Sequence, residues 1–235
     1  MIVYNSSIVR DGLVLHLDAA NVKSYPGSGV AVNDLSANKY SGILENGASF
    51  NSDNLGSFVF DGVNDDINFG DILDLGTNSL TVNQWVNLSS KISSNMYTLS
   101  KSRSLSEPFR YGTNFEATTG RIRAFFSDII PIGTTVTALN TWYMATWVFD
   151  RASNIKMYLN AKEEIISSGS SNISSLSTQN FQTDIPFRVG SYSNADYSPG
   201  IGFPGKIGLT QVYFRVLSES EIRQNFEATR GRYGI

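Results

Sequence analysis

The sequence predicts an all-β protein, a two-sheet antiparallel sandwich that ends in one short helix. Three observations predict it. Short apolar runs alternate with polar positions and are broken almost everywhere by Gly, Asn, Asp and Ser, the pattern of many strands joined by turns. In the clearest runs the apolar positions recur every second residue rather than at the helical period of about 3.6. The 235 residues suit one such sandwich, which commonly fills this length as a single domain and buries roughly 70 to 75% of its unfolded surface.

Taken in order, Leu13 to Asp18 is the first strand run. Ser57 to Phe60 and Asp66 to Phe69 flank Asp61-Gly62-Val63-Asn64-Asp65, whose Asp-Gly pair signals a reversal between strands. Leu80, Val82, Gln84, Val86 and Leu88 share one strand face, with Thr81, Asn83, Trp85 and Asn87 on the other. Further strands are expected at Tyr97 to Ser100, Phe109 to Phe115 and Arg121 to Phe126. Trp142 to Phe149 is apolar on both faces, the mark of a central strand covered on each side. Its short link through Asp150 to Asn154 into the alternating Ile155 to Asn160 reads as a hairpin. Ser167 to Asp184 is rich in Ser and Asn and reads as a long surface loop, after which Phe187 to Gly190 and Lys206 to Phe214 complete the strands.

The helix is announced by Ser218-Glu219-Ser220-Glu221, a capping box in which the Ser218 hydroxyl accepts from the third helical amide and Glu221 reaches back to the amide of Ser218. Such a cap stabilises by about 1 kcal/mol. Leu217 and Ile222 form a hydrophobic staple across it, and Ile222 with Phe226 gives the helix one apolar stripe.

Composition excludes several function classes. With no cysteine there is no disulfide framework, thiolate zinc site or cysteine nucleophile. Charged residues are 17% of the chain and the net charge is −3, with Lys and Arg scattered, so no basic footprint for nucleic acid exists. No stretch approaches the roughly 18 apolar residues needed to span a bilayer, and Met1 to Ser7 carries no legible export signal.

Several segments, in order, resemble laminin G-like, concanavalin A-like jelly-roll domains: Gly12 to Asn21, Asp34 to Asn38 with Gly42 and Leu44, and Phe58 to Asp65. Leu80-Thr81-Val82 with Trp85-Val86, Trp142 to Asp150, Met157 to Asn160 and Phe203 to Gly208 running on to Tyr213, Leu217-Ser218 and Glu221-Ile222 continue the likeness. The resemblance implies the jelly roll. Leu15 to Pro26, and Ile222 to Phe226 running into Arg230 to Ile235, look like versions found in bacteriophage virion proteins. That implies assembly from the cytoplasm of an infected cell.

The resemblance brings glycoside hydrolases into view, whose chemistry needs two carboxyl groups flanking the scissile bond. The Glu-x-Asp-x-Glu run of laminarinase-type relatives is missing; Asp65-Asp66, Asp71 with Asp74, and Glu163-Glu164 read as turn and solvent-facing carboxylates. His16, the only histidine, lies between Leu15 and Leu17 and reads as structural, and no Gly-x-Ser-x-Gly elbow is present. No catalytic residue is therefore assigned. Calcium is held by loop oxygens in laminin G-like relatives, so Asp61, Asn64 and Asp65 are the candidate ligands, against the plainer reading that they make turn bonds. The Asp-Asn pair of a pentraxin-like site is replaced by Lys101-Ser102-Arg103-Ser104.

Sugar-binding chemistry is best supplied by the loop Ser191 to Gly205, where Tyr192, Tyr197 and Phe203 offer ring faces beside Asn194 and Asp196. Trp85, Trp142 and Trp147 are expected in the core. The domain plan is an arm over residues 1–11, the sandwich over 12–226 and an Arg- and Gly-rich tail over 227–235, both ends read as docking arms, with deletion of Ala228 to Ile235 expected to leave the fold intact and weaken assembly. The leading functional expectation is a non-enzymatic virion surface protein of a bacteriophage, decorating the capsid or a head or tail appendage in many copies, with other virion proteins and cell-surface glycan as partners. The alternative is a carbohydrate-binding adhesin for host attachment, whose single-site affinity multivalency would raise. A glycoside hydrolase ranks third.

Overall fold

The computed structural model describes residues 7–103 and 109–235. Its strands are β1 (Leu13–Asp18), β2 (Ala31–Asn33), β3 (Ser41–Glu45), β4 (Ser49–Asn51), β5 (Ser57–Asp61), β6 (Asp66–Asn68), β7 (Leu80–Leu88), β8 (Met96–Lys101) and β9 (Tyr111–Phe115). They continue with β10 (Arg121–Phe126), β11 (Ile132–Val136), β12 (Trp142–Phe149), β13 (Ile155–Leu159), β14 (Lys162–Glu163), β15 (Ile166–Ser168), β16 (Phe187–Val189) and β17 (Pro204–Tyr213), followed by helix α1 (Glu219–Thr229). All pairings between these strands are antiparallel.

One sheet runs β14-β13-β12-β7-β17-β5-β4, with β1 pairing the second half of β17. We call it the helix-side sheet, because α1 packs on its outer surface. The other, the loop-side sheet, runs β15-β11-β10-β9-β8-β16-β6-β3-β2. The alternation read from the sequence sorts the side chains as expected: Val82, Val86 and Leu88 of β7 meet Trp147 and Phe149 of β12 and Phe115, Ile122 and Phe126 of the facing sheet in the main core. The two-sheet jelly-roll sandwich and the β12–β13 hairpin stand as predicted.

A second apolar cluster covers the outer face of the helix-side sheet, where Trp85, Trp142, Met144 and Tyr213 meet Ile222 of α1 and Tyr233. The capping box forms: Ser218 Oγ accepts from the Glu221 amide at 3.3 Å while the Ser218 amide donates to Glu221 Oε2 at 2.9 Å.

Here the expected boundaries at 12 and 226 move outward. Tyr233, in a 3-10 turn after α1, is buried with its ring stacked 4.1 Å from Trp85, and Trp85 Nε1 donates to Thr229 Oγ1 at 2.8 Å. Arg232 pairs with Asp18 at 2.5 Å. At the other end, the Val9 amide donates to Asn225 Oδ1 and the Val9 carbonyl accepts from the Tyr213 hydroxyl. Arg and Gly suggested a free tail, but one aromatic ring with a stacking partner decides the matter. Residues 1–6 of the expected arm, and Ser104, lie outside the described residues.

The expected surface loop after Ser167 is also drawn inward. It buries Ile173 and Phe181, and the Arg151 guanidinium holds it by donating to the carbonyls of Gly76, Leu176 and Gln179.

Candidate functional site

The outer face of the loop-side sheet is assembled by register. Tyr97 lies opposite Asn114, and Asn114 opposite Arg123, so three residues far apart in sequence form one row across β8, β9 and β10. In the neighbouring row Ser100, Gly112 and Phe125 stand side by side, followed by Arg188 and Asn68. Cross-strand neighbours of this kind keep their Cβ atoms roughly 4.5 to 5.5 Å apart. Phe125 lies flat over Gly112, where any Cβ would fall 2.6 Å from the Leu99 carbonyl and into the ring. Tyr97 meets Phe125 edge-on at 5.8 Å and Tyr192 at 4.7 Å, while Tyr192 itself lies over Gly200.

An outward sheet face is ordinarily solvated. This one is closed: Asn114 is 0% exposed, Arg110 2% and Arg123 8%, with Tyr97 and Phe125 buried among them. Yet its polar atoms are unmet. Neither end of the Asn114 amide, nor Arg110 Nε, nor Arg123 Nη1 has a hydrogen-bond partner among the described residues. Each buried group left so costs about 1 to 3 kcal/mol, more when charged, and calls for an explanation. Burial pulls the Arg123 guanidinium below its usual range, with the Tyr97 hydroxyl opposing it. Burial likewise raises the Tyr97 phenol, against the pull of Arg123 and Arg110. Rings, an open amide and two guanidinium groups thus converge on one spot.

The loop after β16 frames this face, and Arg188 pins it there. From the middle of the sheet Arg188 donates through Nε to Ser193 Oγ at 3.0 Å and through Nη2 to the Tyr197 carbonyl at 2.8 Å, while Nη1 pairs with Asp66 and, at 3.2 Å, with Glu45. Of the five loop residues singled out in the sequence, Tyr192 alone joins the Tyr97 cluster. Asn194 is spent inside the loop on Ser198 and Pro199, and Asp196 accepts from the amide and hydroxyl of Ser198, which holds its carboxyl below the usual range. Tyr197, at φ 64°, carries the Arg103 guanidinium on its ring and donates to Asp184 at 3.0 Å. Phe203 is a correction: it is 0% exposed and packs on Phe115 in the main core, because its amide bonds to the Gly190 carbonyl at 2.7 Å and turns the chain inward.

The calcium candidates do not fit the ion. Asp61 Oδ1 accepts from the Val63 amide at 2.7 Å and Asp65 Oδ2 from the Asp61 amide at 2.9 Å, both turn bonds. Asp65 Oδ1 is left as one buried oxygen, against the six to eight that calcium takes. Asn64 stands beside them half-buried, and among the described residues no three His, Cys, Asp or Glu side chains gather. The remaining acidic pairs serve buried cations or neighbouring polar groups: Asp71 and Asp74 hold Lys101 at 2.6 and 3.2 Å, Asp66 holds Arg188, and Glu164 accepts from Thr135. Burial lowers the His16 imidazole below its usual range.

Tyr97, Arg110, Asn114, Arg123 and Phe125 were not singled out as site residues. The alternation Arg121-Ile122-Arg123-Ala124-Phe125 does announce an outward basic edge. That Asn114 completes it depends on register. A cavity of about 260 Å³ opens on the helix-side sheet between Tyr158 and Val216, but its Lys156 is already faced by Glu163 and Glu219 at 3.4 and 3.9 Å.

Comparison with known proteins bears on these observations. No curated protein matches the sequence. Among solved structures, a mutant sialidase of Trypanosoma rangeli displaying trans-sialidase activity aligns at 16% identity and a TM-score of 0.67, over 95% of this chain and 34% of its own. The chain thus spans about a third of that enzyme's length. Domain 4 of a GH43 extracellular arabinanase from Geobacillus stearothermophilus, in complex with arabinotriose, aligns at 15% identity and a TM-score of 0.65, over 94% of this chain and 100% of its own. The binding domain of Paraclostridial Mosquitocidal Protein 1 aligns at 14% identity and a TM-score of 0.67, over 92% of this chain and 52% of its own. These likenesses overturn the expectation of a bacteriophage virion surface protein, since they run to a sialidase, a domain of an arabinanase and the binding domain of a mosquitocidal protein. A family model described as the concanavalin A-like lectin/glucanases superfamily matches residues 61–223, more than half of the chain, and the chain belongs to that family.

Proposed function

We propose that this protein is a carbohydrate-binding domain that takes saccharide on the outer face of the loop-side sheet, at Tyr97, Asn114, Arg123, Phe125 and Tyr192, and does not hydrolyse it. The observation that carries this reading is Asn114, a fully buried amide with neither end satisfied, set between a tyrosine and an arginine in one cross-strand row. Sugars offer what such a row lacks: hydroxyls that donate and accept in turn, and C–H faces that pack on rings. Family membership and the arabinotriose complex of a similar fold support the same chemistry. The carboxylates around this face support binding without hydrolysis. Asp66 and Glu45 are tied to Arg188, and Glu116 to Arg121 at 2.7 Å, whereas a glycosidase needs an acid and a second carboxylate free to flank the bond.

A glycan array probed with the wild-type chain and with Asn114→Ala tests the reading. Retention of a defined glycan set by the wild type, lost at least tenfold in the variant, is expected, a factor equal to about 1.4 kcal/mol. Equal retention by both would remove the site. Chromatography of each bound glycan after prolonged incubation is expected to show intact material, and released sugar would overturn the non-catalytic half.

A further inference from the structure

We infer that the saccharide taken by this face is acidic, its anionic group seated between the guanidinium groups of Arg110 and Arg123. The inference rests on the carbohydrate-binding reading above and adds the chemical class of the ligand.

The protein supplies its own control for how it buries a cation. Lys101 receives two carboxylates and the carbonyls of Ile72 and Ile185. Arg188 receives Asp66 and Glu45, Arg232 receives Asp18 and three carbonyls, and Arg151 receives three carbonyls. Lys101, Arg188 and Arg232 are thus each met by carboxylate, and Arg151, whose Nε is left unmet, by three carbonyls. Arg110 and Arg123 break this habit. Among the described residues Arg110 is paired with Asp128, 3.5 Å away with its side chain 86% exposed, and Glu116, which faces Arg123, is already bonded by Arg121 and Thr119.

Arg110 also acts on Arg123 as a like charge, adding to the burial that lowers the Arg123 guanidinium. Burying like charges that meet only an exposed carboxylate and one already engaged is unfavourable unless a further counter-charge arrives. The geometry suits one: Arg110 rests over the Phe125 ring at 5.3 Å, which fixes the plane of its fork, and the Tyr97 hydroxyl faces both groups. A carboxylate or sulfate ester is the planar or multi-oxygen acceptor that an arginine fork matches. The rings of Tyr97, Phe125 and Tyr192 then flank the sugar that carries it.

The test is a paired array read with the wild type, Arg110→Gln, Arg123→Gln and Arg123→Lys. Sialyllactose is printed beside lactose, trigalacturonate beside its carboxyl-reduced form, and a sulfated galactoside beside the unsulfated one. Acidic members are expected to bind at least tenfold more tightly than their neutral parents, a preference that shrinks in high salt. The Gln variants should abolish the preference while melting at the wild-type temperature or above, and Arg123→Lys should keep part of it. Whether carboxylate or sulfate pairs carry the signal identifies the anion. Should Arg123→Gln fail to fold, Arg110→Gln decides alone. Neutral parents binding as well as acidic members would overturn the inference and leave the carbohydrate reading standing, as would a preference the Gln variants retain. Binding to no glycan at all would overturn both.

Discussion

The two sheets cover their outer faces in opposite ways. On the helix-side sheet the chain supplies its own cover: α1, Tyr233 and Val9 close over Trp85, Trp142 and Tyr213, and the indole hydrogens find Thr229 and Asn54. The unmet polar atoms beneath that cover, on His16, Asn83, Gln211 and Tyr233, belong to neutral groups, and Asn83 is half-satisfied by Thr146. On the loop-side sheet the buried set is charged and aromatic, with unmet atoms on Arg110, Arg123 and the Asp66 carboxylate and an amide open at both ends. Burial by itself therefore does not separate a core from a site; the balance of charge and hydrogen bonds does. A face finished by its own chain is tuned for stability, and one left short of an anion and several acceptors is tuned for a ligand.

The difference can be broken or sharpened by substitution. Trp85→Ala should have the largest effect, destabilising by about 3 to 5 kcal/mol in a urea titration with glycan affinity unchanged for the folded fraction. Truncation after Glu227, which removes the Thr229 bond, the Tyr233 stack and the Arg232 pair, should cost a comparable amount by the same measurement; an unchanged unfolding midpoint would return residues 228–235 to the status of a free tail. Gly112→Val should cost about 1 to 3 kcal/mol and weaken glycan binding as well, because its side chain must displace the Phe125 ring. Asn114→Leu sharpens the contrast most, since removing an unmet amide should leave stability unchanged or raise it by about 1 kcal/mol while abolishing binding. A marked drop in melting temperature would make Asn114 a structural residue.

The smallest effect is one of pH. Hydrogen bonds from Arg215 and from Ser218 hold the Glu221 carboxyl at about 2, below its usual value of 4.5. A lowered folded-state value means the contribution is complete above about 4.5 and is lost as pH falls toward 2. Glu221→Gln should remove at most about 1 kcal/mol of acid-sensitive stability, seen as a flatter dependence of melting temperature over that window.

Much of the fold was legible because its signals are local. Ser218 to Glu221 names the helix start, the two-sided apolarity of Trp142 to Phe149 names the central strand, and both stand in the structure. The site was legible only in part, because it is made by register. Tyr97, Asn114 and Arg123 are neighbours only after β8, β9 and β10 align, and nothing within any one strand reports that the Asn114 amide will be left without partners. The loop Ser191 to Gly205 misled in the opposite sense: its polar residues looked available, yet Asn194 and Asp196 bond within the loop and Phe203 turns into the core. Tyr233 was passed over because Arg and Gly surround it, although its ring finds Trp85.

The central claim, that the loop-side face is the binding face, is tested most directly by nitrogen-proton NMR during titration with the best glycan from the array. The two faces carry their own reporters, the Asn114 side-chain amide on one and the Trp85 indole, bonded to Thr229, on the other. Shifts at Asn114 and the Arg123 guanidinium with a silent Trp85 indole are the predicted result. Shifts centred on Trp85, with Asn114 unmoved, would contradict it.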